Sequence, residues 1–93
     1  MQRLAFLLCM LGLPAAADSA GAWEAFRAEV AAACTALVTQ EGTITVDVNP
    51  FGSESYGAAI VTVTADWGSD RMICIFDKAS RAAELTAPFT PAS

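Results

Sequence analysis

Few side chains in this chain are equipped for chemistry. None of its 93 residues is histidine, so the commonest general base, proton shuttle and transition-metal ligand is missing. Asp66 and Asp70 bracket a Trp-Gly-Ser turn, but the five or six regularly spaced oxygen ligands of a dedicated calcium loop do not follow. The stretch GSES offers Ser53 as a nucleophile, yet it departs from the G-x-S-x-G elbow. No base accompanies Ser53, Glu54 and Ser55. A phosphate-cradling glycine motif and a CxxC redox pair are also missing. The expectation is a protein that is not an enzyme, with no metal and no cofactor; a small hydrolase using loop serines or carboxylates is the weakest alternative.

Contact chemistry is better represented. In NPFGSESYGAAIV, turn formers interleaved with two aromatics lead directly into an apolar, β-branched run. Asn49-Pro50 starts a turn, because a residue before proline leaves the helical region and proline fixes φ. Gly52 allows a second reversal. Hairpin connections usually take 2–5 residues, and this one is longer. Phe51 and Tyr56 would then project from a backbone held at both ends, with Glu54 between Ser53 and Ser55. Aromatics in such a frame lose little entropy on binding. The expected binding residues are therefore Asn49, Phe51, Ser53, Glu54, Ser55 and Tyr56. The competing arrangement folds Phe51 back as a cap on the sheet and lets Tyr56 simply begin a strand. Trp67, in the next hairpin turn, is expected at the opposite end of the sheet.

The N-terminus sets the context for that surface. Arg3, an apolar run over residues 4–13, Pro14 and the small residues Ala15, Ala16 and Ala17 have the layout of a secretory signal peptide, with cleavage expected between Ala17 and Asp18. Residues 4–17 fall short of the roughly 20 a spanning helix needs. An uncleaved membrane anchor is the alternative. Cys9 would leave with the leader, and Cys34 and Cys74 would reach an oxidising compartment as an even pair, which predicts one disulfide. Closing a loop of about 40 residues stabilises by roughly 4 kcal/mol in the chain-entropy account. The formal charge is −5. It argues against nucleic acid and against anionic lipid, both of which are held by Lys and Arg.

The elements that must position these residues follow from periodicity. Trp23, Phe26, Val30, Cys34 and Leu37 recur at spacings of three and four, which predicts a helix over residues 21–38, capped by Asp18 or Ser19. TITVDV alternates cleanly, with Ile44, Val46 and Val48 on one face. Residues 56–64 predict a second strand with a possible bulge at Gly57, and residues 71–77 a third. Met72, Cys74 and Phe76 share one face of that third strand; Ile73 and Ile75 share the other. Apolar residues on both faces suggest a central strand, or one whose outer face is covered. The segment AAELT adds a short fourth strand at an edge.

The fold expected is α+β: one N-terminal helix packed on a three- to four-stranded antiparallel meander, stapled by Cys34–Cys74. Residues 1–17 form the signal, 18–87 one domain and 88–93 a flexible tail. Ile44, Val46, Val48, Ile60, Met72, Cys74 and Phe76 are the expected core, with Trp23, Phe26, Val30 and Leu37 from the helix. In outline the chain resembles small exported bacterial proteins, a class that includes periplasmic inhibitors and peptide-binding modules; no motif selects one family. The function expected is a periplasmic or secreted binding or accessory module acting by protein–protein contact, through residues 49–57 or an exposed strand edge. Its partner is a protein, not nucleic acid and, after signal cleavage, not a membrane. A membrane-anchored accessory subunit of an envelope complex is the alternative.

Overall fold

A computed structural model describes residues 20–89. The signal segment, its cleavage site and the capping residues Asp18 and Ser19 lie outside the described residues, as do residues 90–93. Helix α1 (Ala20–Ala36) is followed by strands β1 (Thr43–Val48), β2 (Tyr56–Ala65), β3 (Gly68–Asp77) and β4 (Ala83–Leu85). The strands form one antiparallel sheet in the order β1-β2-β3-β4, a plain meander. The α+β fold expected from the sequence is therefore the fold observed, with the fourth strand present.

Alanine-rich α1 lies across one face of the sheet and touches all four strands. Its Val30 and Cys34 are fully buried against Ala59, Val61 and Val63 of β2 and Met72, Cys74 and Phe76 of β3. Cys34 and Cys74 are disulfide-bonded, with Cα atoms 5.9 Å apart. The bond joins the two layers in the middle of the core.

Three residues expected in the core lie outside it. Trp23 and Leu37 remain 37% and 38% exposed near the two ends of α1. Trp23 lies beside the Phe51 ring of the β1–β2 loop, past the paired strand residues, and Leu37 follows the last residue of α1, so neither has the sheet beneath it as Val30 and Cys34 do. Ile60 is 41% exposed because β2 faces the helix with Gly57, Ala59, Val61 and Val63 instead.

The phase of β2 is set where the layers approach most closely. A Cβ on Gly57 would stand 2.8 Å from Cζ of Phe26 and 3.1 Å from Cγ2 of Val30. Glycine at this point admits the Phe26 ring, and the small Ala59 follows on the same face. The register runs one-to-one from Tyr56↔Asp77 to Ala65↔Gly68, so the bulge considered at Gly57 does not form. β3 also begins three residues before the expected start at residue 71, because Asp66 and Trp67 alone make the turn. Gly68 then takes a φ of 125°, which L side chains rarely adopt.

The two faces of β2 and β3 make different demands on the same kind of residue. Met72→Ala should lower the unfolding free energy by about 2–5 kcal/mol. Ile60→Ala should lower it by well under half as much, as read from denaturant midpoints with unchanged slopes.

Candidate functional site

The connection from β1 to β2 is a built structure. Asn49 accepts hydrogen bonds at Oδ1 from the backbone N–H groups of Phe51 (3.3 Å) and Gly52 (2.8 Å), and its own N–H donates to the Ala58 carbonyl. This side-chain-to-backbone closure is why asparagine favours turns. Gly52 supplies the left-handed residue, at φ 70°. Ser53 N–H donates to the Tyr56 carbonyl (2.7 Å), and Tyr56 N–H donates to Ser53 Oγ (3.1 Å). The loop closes on itself twice.

It is also tied to the rest of the protein. Lys78, in the β3–β4 turn, donates from Nζ to the carbonyls of Phe51 (3.0 Å) and Ser53 (2.7 Å). The same ammonium lies 5.3 Å from the Trp23 ring centre and 5.1 Å from that of Phe26. Arg27 donates to the Pro50 carbonyl, and Lys78 N–H donates to that of Ser55. Phe51 meets Trp23 edge to face at 5.0 Å; Trp23 meets Phe26 at 5.6 Å, and Phe26 meets Phe76 at 6.0 Å. A ladder of four aromatics thus runs from the loop into the core. Phe51 rests on the exposed end of α1 while keeping 56% of its surface open.

The expected site residues therefore divide by role. Asn49 and Ser53 spend their side chains on holding the loop. Glu54 and Ser55 are exposed at its tip. Tyr56 begins β2 on the face turned away from the helix, opposite Asp77. Trp67 is exposed in the β2–β3 turn, at the far end of the sheet.

The side of the sheet opposite α1 carries a group of residues that the loop motif alone did not reveal. Among the described residues no element packs on it. Tyr56, Ile60 and Ile75 are 48%, 41% and 42% exposed there. Ala58 sits across from Ile75, and Ile73 across from Ile60, so the apolar residues are contiguous. Each large one also has a carboxylate directly across a strand pair: Asp77 from Tyr56, Asp47 from Ile60 and Glu84 from Ile75. Arg71, opposite Thr62, is the basic residue of this face. Towards the loop end the face deepens into an open groove of about 790 Å³, whose lining includes Tyr56, Ala58, Ile75, Asp77, Ser80 and Glu84. The apolar outer face of β3 was visible in the sequence; its alignment with Tyr56 and Ile60 required the strand register.

Electrostatics fix the turn that walls this groove. Asp77 Oδ1 accepts from the N–H groups of Ala79 (2.8 Å) and Ser80 (3.1 Å). The Ser80 and Ala79 amides hold the Asp77 carboxyl below its ordinary range. Arg81 takes a φ of 65°, uncommon for a residue with a side chain. Its guanidinium is paired with Glu29 of α1 and lies over the Phe76 ring at 5.7 Å. The hydrogen bond to Arg81 draws the Glu29 carboxyl down, and Glu29 in turn raises Arg81. No group of three or more metal-ligating side chains converges among the described residues, and no described helix is long and apolar enough to cross a membrane.

Two outcomes check this geometry. Lys78→Met keeps the aliphatic stem but removes both loop anchors. It should accelerate amide hydrogen exchange at Ser53 and Tyr56 and lower stability by about 1–3 kcal/mol, while the disulfide stays intact. Glu29 and Asp77 bind protons less readily folded than unfolded, so their contribution is complete above their ordinary values of 4.5 and 3.8 and is lost as pH falls through the lower, folded ones. The acid limb of a stability–pH curve should therefore flatten in the double variant Glu29→Gln, Asp77→Asn.

Comparison with protein families, curated proteins and solved structures finds no match to this chain.

Proposed function

We propose that this protein is a small exported binding module, periplasmic or secreted and non-enzymatic, that acts by protein–protein contact through the open face of its sheet and the adjoining loop of residues 49–57. One observation carries the reading: the isoleucines and tyrosine on the face away from α1. An antiparallel sheet with one solvated face normally alternates hydrophobic-in, polar-out. Here Tyr56, Ile60 and Ile75 break that alternation together, as neighbours across the strands. Contiguous apolar surface rimmed by polar groups is characteristic of interaction sites.

The carboxylates state what kind of surface fits. With Asp47, Asp77 and Glu84 each beside one of the large apolar residues, the complementary partner places Lys or Arg around an apolar centre. Such an arrangement favours encounter as well as specificity. The loop extends the surface at the groove end, where Lys78 and the Asn49 turn hold it ready. Little ordering entropy is then lost on contact. Export is supported by the leader-like N-terminal sequence and by a disulfide, which persists in oxidising compartments.

The test compares capture with folding. The protein, carrying a C-terminal tag, is used to retain partners from the exported fraction, in parallel with Tyr56→Ala, Ile75→Lys and Phe51→Ala variants. Tyr56→Ala and Ile75→Lys, the latter set opposite Glu84, should each weaken capture by about 2 kcal/mol or more, as expected of contact hot spots, with melting temperatures close to the original. Phe51→Ala should have a smaller effect. Retention unchanged by both face variants would exclude the sheet face as the contact surface.

A further inference from the structure

The two edges of the sheet are finished differently. β4 is three residues long and carries Glu84, and the chain beyond it reaches Pro88 while still pairing with β3 through Thr86 N–H to Ile73 and Phe89 N–H to Arg71. Short strands, charge and proline are the usual devices that stop an edge from pairing. β1 has none of them in quantity. It is TITVDV, five β-branched residues and one aspartate, with no proline, lysine or bulge, and among the described residues it pairs only with β2.

Ladder geometry says which backbone groups that edge presents. Asn49 N–H donates to Ala58, the residue directly opposite in the same register. Hydrogen-bonded and non-bonded pairs alternate along an antiparallel ladder. Thr43, Thr45 and Asp47 therefore turn their backbone groups towards β2, and Ile44, Val46 and Val48 turn theirs outward. The side chains of those same three residues point to the helix side and are only partly buried.

We propose that β1 pairs antiparallel with β1 of a second copy of this chain, centred on Val46, to give a two-fold symmetric dimer with one continuous eight-stranded sheet. In this register Val46 lies opposite the second copy's Val46, and Ile44 opposite its Val48. All the outward groups are then used in about six hydrogen bonds. Side chains select the same register. On the open face Asp47 falls opposite Thr45, whereas moving the centre one residue along, to position 47, would set Asp47 directly against itself, an unfavourable like-charge pair. Centring at position 45 leaves Val48 without a partner pair. On the helix side the half-buried Ile44, Val46 and Val48 cover one another. An isologous contact of this kind closes at two and does not propagate. The interface is narrow, so the dimer is a weak one, in the micromolar range or above.

Thr45 gives a test that leaves the monomer alone, because it is exposed and points away from the core. Sedimentation equilibrium of the protein from about 10 μM to about 1 mM should show reversible dimerisation. Thr45→Lys sets a cation opposite Asp47 twice by symmetry and should tighten the dimer about fivefold; Thr45→Asp should loosen it by at least as much. Amide exchange should slow with concentration at Ile44, Val46 and Val48, and stay unchanged at Thr43, Thr45 and Asp47. A monomer throughout that range overturns the proposal. So does a dimer that both Thr45 variants weaken or neither affects. Slow exchange at Ile44, Val46 and Val48 that is independent of concentration would place other residues of the same chain on this edge and equally overturn it.

Discussion

The covalent link between Cys34 and Cys74 fixes the one contact on which the remaining structure depends, that of a single helix with the middle of a four-stranded sheet. A domain of this size has little apolar surface to bury, and disulfides commonly supply what its core lacks. The bond has a positional consequence as well. It holds Val30 and Phe26 one and two turns along the helix from Cys34, where they meet β2. Only glycine fits beneath Phe26, so Gly57 and Ala59 must face inward and Tyr56, Ala58 and Ile60 must face out. The open apolar face is thus a consequence of where the helix is pinned. One helix covers one face, and the isoleucines of β3 lie on the other.

The same placement explains the loop. The N-terminal end of α1 reaches the β1–β2 loop, where Trp23 offers its ring to Phe51. Lys78 joins the loop to the helix, its ammonium held by the carbonyls of Phe51 and Ser53 and lying near the rings of Trp23 and Phe26. Neither a hydrogen bond nor a cation–π contact at a half-exposed site is worth much alone. Together they fix the backbone of a connection longer than a hairpin needs. The loop is an extension of the core, with a polar tip at Glu54 and Ser55. On the other side of the groove, the pairing of Glu29 with Arg81 secures the β3–β4 turn to the helix in the same way. Both walls of the groove are therefore anchored to α1.

Much of this was legible in the residues. The Phe26–Val30–Cys34 spacing specified the helix and its buried stripe, the alternation in TITVDV specified β1, and the cysteine pair agreed with both. What could not be read was the phase of β2. Residues 56–63 are apolar or small on both faces, so periodicity of two has no contrast to work with; Ile60 is the larger residue, yet the helix needed the smaller ones. The apolar stripe was carried too far at both ends of α1 for a similar reason: Trp23 and Leu37 obey the helical period, but Trp23 lies beside the β1–β2 loop and Leu37 follows the last helical residue. Lys78 and Arg27 reach the loop from distant positions by contacts that leave no local signature. Asn49 and Gly52 were recognised as turn formers, and the structure gives each that task.

If the face away from α1 is the working surface, as proposed, a partner covers it in the native exported fraction. Hydroxyl-radical footprinting of the protein in its native exported fraction, compared with the same protein purified, tests it most directly. The comparison reads every exposed aromatic and aliphatic side chain at once. Tyr56, Ile60 and Ile75 should lose most of their labelling in the native fraction, while Trp67, at the far end of the sheet, should label equally in both. Unchanged labelling of those three residues, with protection at Trp67 or along α1 instead, would contradict the proposal.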